Sequence, residues 1–177
     1  MSQTRNIEGK SQSAVRVVVY EDLQCSDCAN FRLMLDAHLI PKYGSKVAFE
    51  HRDFPLAKHA WARKAAIAAR YFDSVKPETG TRFRQATMAQ MREIPADKFN
   101  DHVAAFAKAN GADPDKAVAA LNDPKLQAVV EEDYQEGVAR GIAKTPTVFV
   151  NGEAFVETFP LEEISKSIEA AVKEAGQ

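Results

Sequence analysis

No third cysteine occurs in these 177 residues, and the four histidines, His38, His51, His59 and His102, are scattered singly. A tetrahedral zinc site built on the two cysteines would therefore lack its other ligands. No window approaches 18 consecutive apolar residues, which leaves no candidate for a membrane-spanning helix. Charge of one sign is also missing. The net charge is −2, with basic residues interspersed among acids rather than gathered into a stripe, so nothing favours a nucleic-acid partner. Residues 1–20 lack the charged start, apolar segment and small-residue cleavage site of a secretory signal. There is no internal repeat and no low-complexity linker. With 45 % hydrophobic and 27 % charged side chains, the chain reads as a single domain with one well-buried core.

What is present is concentrated in Cys25-Ser26-Asp27-Cys28, which holds both cysteines one helical turn apart. Upstream, Val15-Arg16-Val17-Val18-Val19-Tyr20 is the β-branched, nearly all-apolar run of a strand buried on both faces. Downstream, Phe31, Met34, Leu35 and Leu39 recur at helical spacing until Pro41 and Gly44 stop the pattern. The pair thus sits where a strand ends and a helix begins. The first turn of a helix offers unpaired N–H groups and a positive dipole end, both of which favour an anion. A thiol placed there in a Cys-X-X-Cys setting can fall from ~8.5 to about 3.5–7.5, which makes it nucleophilic at neutral pH. Cys25 is then the attacking thiol, and Cys28, one turn deeper, the thiol that resolves a mixed disulfide. An accidental buried pair is the bland alternative.

A second feature lies far along the chain. In Lys144-Thr145-Pro146-Thr147-Val148-Phe149-Val150-Asn151-Gly152, a proline opens a strand and Asn-Gly closes a tight hairpin. A turn at Thr145 and Pro146 would present the Thr145 backbone for pairing with an extended substrate segment. An ordinary trans proline is the simpler reading, and a cis bond costs only ~0.5–1 kcal/mol. Elsewhere, residues 1–13 read as a flexible N-terminal arm and Lys46–Phe49 as a second strand, parallel to the first. An alanine-rich helical stretch runs over about 57–140, with Trp61, Tyr71 and Phe72 as core aromatics, and a last helix opens at Pro160. Asp113-Pro114 and Asp123-Pro124 each set a capping acid before a first-turn proline.

These pieces resemble the DsbA-type thiol-disulfide oxidoreductases of the thioredoxin-fold superfamily. The resemblance runs through Tyr20-Glu21-Asp22-Leu23-Gln24-Cys25-Ser26-Asp27-Cys28 with Phe31, Arg52-Asp53-Phe54-Pro55-Leu56 with His59, Trp61 and Ala62, and Lys144-Thr145-Pro146-Thr147 with Asn151-Gly152. It implies an α/β, thioredoxin-like fold: a mixed central sheet, an inserted all-helical subdomain over about 57–140, and one domain over 14–177. It also implies catalytic Cys25 and Cys28, and a cis threonine-proline bond with Thr145 and Pro146 contacting substrate. Three positions depart from the family pattern. Ser26 stands where proline is common. Asp27 puts a negative charge beside the thiolate, which should raise the Cys25 pKa and make the disulfide less oxidising. Val19 replaces a buried carboxylate, leaving Glu21 and Asp22 as the nearest acids. Lys144 could offset Asp27 or simply be solvated.

The expectation is a monomeric enzyme, without cofactor or metal, that introduces disulfides into protein substrates and is reset by a redox partner. A reductase or isomerase of the same fold, or a non-catalytic peptide-binding module, are the alternatives. The resemblance points to the periplasm or another extracytoplasmic space, while a cysteine pair used only for catalysis also suits the cytoplasm.

Overall fold

The structure is a computed structural model that describes residues 5–177. Five strands form one mixed sheet: β1 (Ile7–Gly9), β2 (Arg16–Glu21), β3 (Ala48–Asp53), β4 (Thr147–Val150) and β5 (Glu153–Val156), in the order β1-β3-β2-β4-β5. β2 and β3 run parallel, from Arg16 opposite Ala48 to Glu21 opposite Asp53, and the other three pairings are antiparallel. A parallel pair needs a crossover. Here it is α1 (Ser26–Met34), a π-helical stretch (Leu35–Leu39) and α2 (Ile40–Tyr43). Pro41 does not stop the helix. Proline lacks the N–H that an α-helix would bond one turn back, and the wider π stretch just before it absorbs that loss. The helix ends at Gly44.

Between β3 and β4 the chain is helical: α3 (Ala62–Val75), α4 (Pro77–Ala89), α5 (Phe99–Ala109), α6 (Pro114–Ala119) and α7 (Pro124–Ala139), with α8 (Leu161–Glu174) closing the chain. Both aspartate caps form: Asp113 accepts from the amides of Asp115 and Lys116, and Asp123 from that of Lys125. One face of the sheet buries Val17, Val19, Phe49, Val148 and Val150 against Phe31, Leu35 and Leu39 of the crossover and Ile164 and Ile168 of α8. Each such side chain contributes about 1.5–3 kcal/mol through removal from water. Trp61 and Phe72 belong to a second core within the helices, where Trp61 stacks on Phe99 at 4.8 Å; Tyr71 packs against it half-buried. On the sheet's other face α7 comes close enough that a Cβ at Gly137 would lie 2.6 Å from the Phe54 ring. Phe54 in turn stacks on Tyr134 at 4.8 Å. This contact anchors the loop that follows β3 beside the start of α1.

Two further expectations are corrected. Residues 1–13 do not all lie outside the fold as an arm: residues 1–4 fall outside the described residues, but Ile7–Gly9 pair with β3 as its outer neighbour. Behind them the buried Asn6 side chain donates to Asp73 at 2.8 Å, so polar bonds rather than an apolar pattern hold this segment. The second strand is Ala48–Asp53 rather than Lys46–Phe49. Its charged half, Glu50-His51-Arg52, looks like a loop in sequence but is a strand whose charges are paired: His51 lies between Glu8 (2.7 Å) and Glu21 (3.1 Å), and Arg52 donates to Glu50 at 2.7 Å.

Candidate functional site

β2 ends at Glu21, and four residues later Cys25 occupies the N-cap of α1 with extended backbone (φ −91°, ψ 127°). That geometry sets its sulfur over the open end of the helix. The turn before β4 closes the other side: the Thr145–Pro146 bond is cis, and the Cys25 thiol donates to the Thr145 carbonyl oxygen at 3.5 Å. Thr147 Oγ1 bonds the Lys144 carbonyl (2.7 Å), and Pro146 O accepts from the Glu157 amide (2.8 Å), which braces this turn from behind. Cys28, one turn into α1, accepts from the Asp22 amide at 3.4 Å. Both cysteines are free thiols. Cys25 sits at the edge of the surface with 9 % of its area exposed, and Cys28 beneath it with 2 %.

Burial and hydrogen bonding drive the two sulfurs apart. The Cys25 pKa falls to about 6, chiefly because the Cys28 thiol bonds it, partly opposed by burial and then helped by the Thr145 hydroxyl and the open amides of Cys28 and Asp27. Those helix amides act without closing a capping bond to the sulfur. The Cys28 pKa rises well above the ordinary thiol range because the group is buried, and its bond to Cys25 holds its proton. Thr145 Oγ1 is buried without a hydrogen-bond partner among the described residues, facing both sulfurs and available to donate to either as a thiolate. The arrangement is one ionisable, reachable sulfur above one protonated, covered sulfur.

Around this centre Ser26 is exposed and Asp27 half-exposed. The Asp27 amide helps to lower Cys25, and the net shift is downward, as the sulfur faces amides, a hydroxyl and a thiol. Lys144 does not offset Asp27 but pairs with Glu157 at 3.4 Å. Glu21 turns away from the sulfurs toward His51 and Arg84. Two residues that drew no catalytic assignment in sequence meet here: Asp22 Oδ2 lies 2.7 Å from His59 Nδ1. They are 37 positions apart, and no local pattern joins them.

A groove of about 450 Å³ between α1 and α4 begins at Ser26 and is lined by Ala29, Leu33, Met88 and Met91, among others. A hollow of about 540 Å³ opens instead near the start of β2, beside Arg16, Val18, Arg140 and Phe149, at the opposite end of that strand from the cysteines. Among the described residues no group of three or more His, Cys, Asp or Glu side chains could hold a metal ion, and no helix is long and apolar enough to cross a membrane.

The fold recurs in known proteins. Alpha-DsbA1 of Wolbachia pipientis is 19 % identical and superposes with a TM-score of 0.84 over 97 % of this chain and 92 % of its own. The thiol-disulfide exchange protein alpha-DsbA2 of the same organism is 22 % identical, with a TM-score of 0.81 over 96 % of this chain and 88 % of its own. BdbD of Bacillus subtilis is 20 % identical, with a TM-score of 0.80 over 96 % and 93 %. In sequence, a Na(+)/H(+) antiporter NhaA of Herminiimonas arsenicoxydans is 25 % identical over 166 residues, which are 94 % of this chain and 25 % of that protein. The chain thus spans about a quarter of the length of the curated relative it matches. The family model described as thioredoxin matches residues 2–170. The chain belongs to the thioredoxin family and carries the fold of the DsbA-type proteins.

Proposed function

We propose that this protein is a thiol-disulfide oxidoreductase that introduces disulfides into protein substrates through Cys25 and Cys28. The observation that carries this reading is the opposed tuning of the two sulfurs: Cys25 lowered to about 6 at the surface, Cys28 raised beneath it. In the oxidising direction, a substrate thiolate attacks Cys25 Sγ of the Cys25–Cys28 disulfide, and Cys28 leaves as a thiolate that takes up a proton. The second substrate thiolate then attacks the substrate sulfur of the mixed disulfide and expels Cys25 as a thiolate. Two electrons pass from the substrate dithiol to the enzyme pair, and no cofactor is required. A pair whose reduced form holds a stabilised thiolate is the better oxidant, which favours this direction over reduction or isomerisation.

Thr145 and Pro146 position the incoming segment beside Cys25, in the manner of strand addition, and the groove that starts at Ser26 receives its apolar side chains. The partners are proteins with thiols or disulfides and a second redox protein that reoxidises the pair. The chain works as a monomer in an extracytoplasmic, oxidising compartment, where disulfides persist.

The decisive experiment pairs two substitutions. Cys28→Ser should accumulate a covalent mixed disulfide with substrate protein, cleaved by reductant, whereas Cys25→Ser should form none and lose all turnover. A peptide-binding module would bind equally well without either thiol. Equilibration with glutathione then assigns direction: a potential well above about −230 mV fits an oxidase, and one near about −270 mV a reductase.

A further inference from the structure

The loop after β3 fastens to the residues just before Cys25 at several points. The Leu56 amide donates to Asp22 Oδ2 at 2.8 Å, His59 Nδ1 lies 2.7 Å from the same oxygen, and the Trp61 amide donates to Gln24 Oε1 at 2.8 Å. Asp22 Oδ1 accepts the Gln24 amide at 2.7 Å. One carboxylate thus holds three donors, and its side chain has no exposed area. Against a carboxylate acceptor His59 carries its proton on Nδ1, as an isolated buried carboxylate would otherwise be costly. The main chain of the same aspartate donates to Cys28 Sγ at 3.4 Å.

We propose that Asp22 and His59 serve the Cys28 half of the reaction: their bond locks the loop so that the Asp22 amide stays on Cys28 Sγ and stabilises that sulfur as a thiolate. Asp22 touches a reacting atom through its amide, and His59 is a positioning residue. This inference rests on the disulfide-exchange reading above. When Cys28 resolves a mixed disulfide of Cys25 with a thiol R–SH, it loses its proton and attacks Cys25 Sγ; the Cys25–Cys28 bond forms, the Cys25–R bond breaks, and R–S⁻ gains a proton. In the reverse step Cys28 is the leaving thiolate. Either way the charge develops on a buried sulfur whose burial resists it, opposed by the Asp22 amide and the Thr145 hydroxyl. Helix amides are aimed by the helix. The Asp22 amide lies just past the end of β2, and it is aimed jointly by the Phe54 amide's bond to the Glu21 carbonyl of the same peptide unit (2.9 Å) and by the carboxylate's set of bonds.

The test follows the full chain, reduced and mixed rapidly with oxidised glutathione, with acid quenching and mass detection of the glutathione adduct on Cys25. In His59→Ala, loss of a charge-assisted bond should slow decay of the adduct about tenfold while its formation changes by less than about twofold. His59→Asn, which returns an N–H near the Nδ1 position, should restore most of the decay rate. Unchanged decay in His59→Ala, an asparagine variant no better than alanine, or formation and decay slowed together would overturn the proposal. If His59→Ala fails to fold by circular dichroism, Asp22→Asn decides, because its amide group must face one of the three donors: slowed decay alone supports the lock, and unchanged decay sinks it. A wild-type protein that forms no adduct or never resolves it would overturn the oxidoreductase reading itself, whatever the variants do.

Discussion

Two buried polar regions of this molecule are built on opposite principles. At the seam between sheet and helical insert, full charges are paired in the interior: Arg70 of α3 bridges Asp53 of β3 and Asp133 of α7, and Asp133 also accepts from Arg5 at 3.0 Å and from the Asp53 amide at 3.0 Å. Nearby, Arg84 of α4 holds Asp73 through two bonds of 2.8 Å and faces Glu21 at 3.4 Å. Around the sulfurs, by contrast, the groups that most lower Cys25 are a thiol, a hydroxyl and two amides. A seam of fixed ion pairs holds two layers in register, since misplacing either layer strands a buried charge. A redox centre has to gain and lose its own charge, and neutral dipoles tolerate both states.

The largest break in this contrast should come from Asp133→Ala. Arg70 and Asp133 are 2 % and 1 % exposed, so removing the carboxylate leaves a buried guanidinium half-paired and should cost about 3–5 kcal/mol of stability. Urea unfolding measures it. The alkylation pH profile of Cys25, recorded where the variant is still folded, should stay in place, because the seam does not touch the sulfur. A shifted profile would show that the two regions are electrically one.

His51 gives the next largest effect and a pH dependence. Burial pulls its pKa down, but Glu21 and Glu8 on either side hold it up at about 9. A folded value above the unfolded ~6.5 means that the protonated ring stabilises the fold fully below about 6.5, and that this stability is lost as pH rises through about 9. The amount is on the order of 3 kcal/mol. Stability should therefore fall between pH 7 and 9.5, and His51→Gln should flatten that slope while lowering stability at pH 6.

What sequence reveals divides along the same line. Each half of the sulfur site is local, although the two meet across 120 positions: Val15–Tyr20, the cysteine pair and the helix after it are contiguous, and the Asn151-Gly152 hairpin lies just beyond the proline turn. Their patterns read directly as strand, cap and turn, and both Asp-Pro helix starts read in the same way. The seam is not local. Arg70 meets Asp133 63 residues away, and Arg5 meets it 128 residues away. In sequence these are ordinary surface-type charges. Glu50-His51-Arg52 concealed the second half of β3 for that reason, and β1, three residues at a sheet edge, is too short for any period to show. The Asp22–His59 contact escaped because its histidine comes from the loop beyond the next strand.

Within the sulfur site, Thr145→Val isolates one neutral donor. Its hydroxyl is buried without a partner among the described residues, so a methyl in its place should cost little stability, under about 0.5 kcal/mol. The thiolate loses a donor, however, and one neutral hydrogen bond is worth about 1 kcal/mol, so the Cys25 alkylation midpoint should rise from about 6 by roughly 0.7 pH units. Stability lost without any change in the midpoint would mean that the hydroxyl serves packing alone.

The smallest expected effect belongs to the single charged side chain between the cysteines. Asp27 is half-exposed, so its carboxylate reaches the sulfur largely through water, where a unit charge acts weakly and salt screens it further. Its main-chain amide, which does lower Cys25, survives any side-chain change. Asp27→Asn should therefore move the Cys25 midpoint down by less than about 0.3 pH units at 0.15 M salt, and the shift should grow as salt is removed. A salt-independent drop of a full unit would mean that the carboxylate turns inward over the sulfur. The site would then be governed by a full charge, as the seam is.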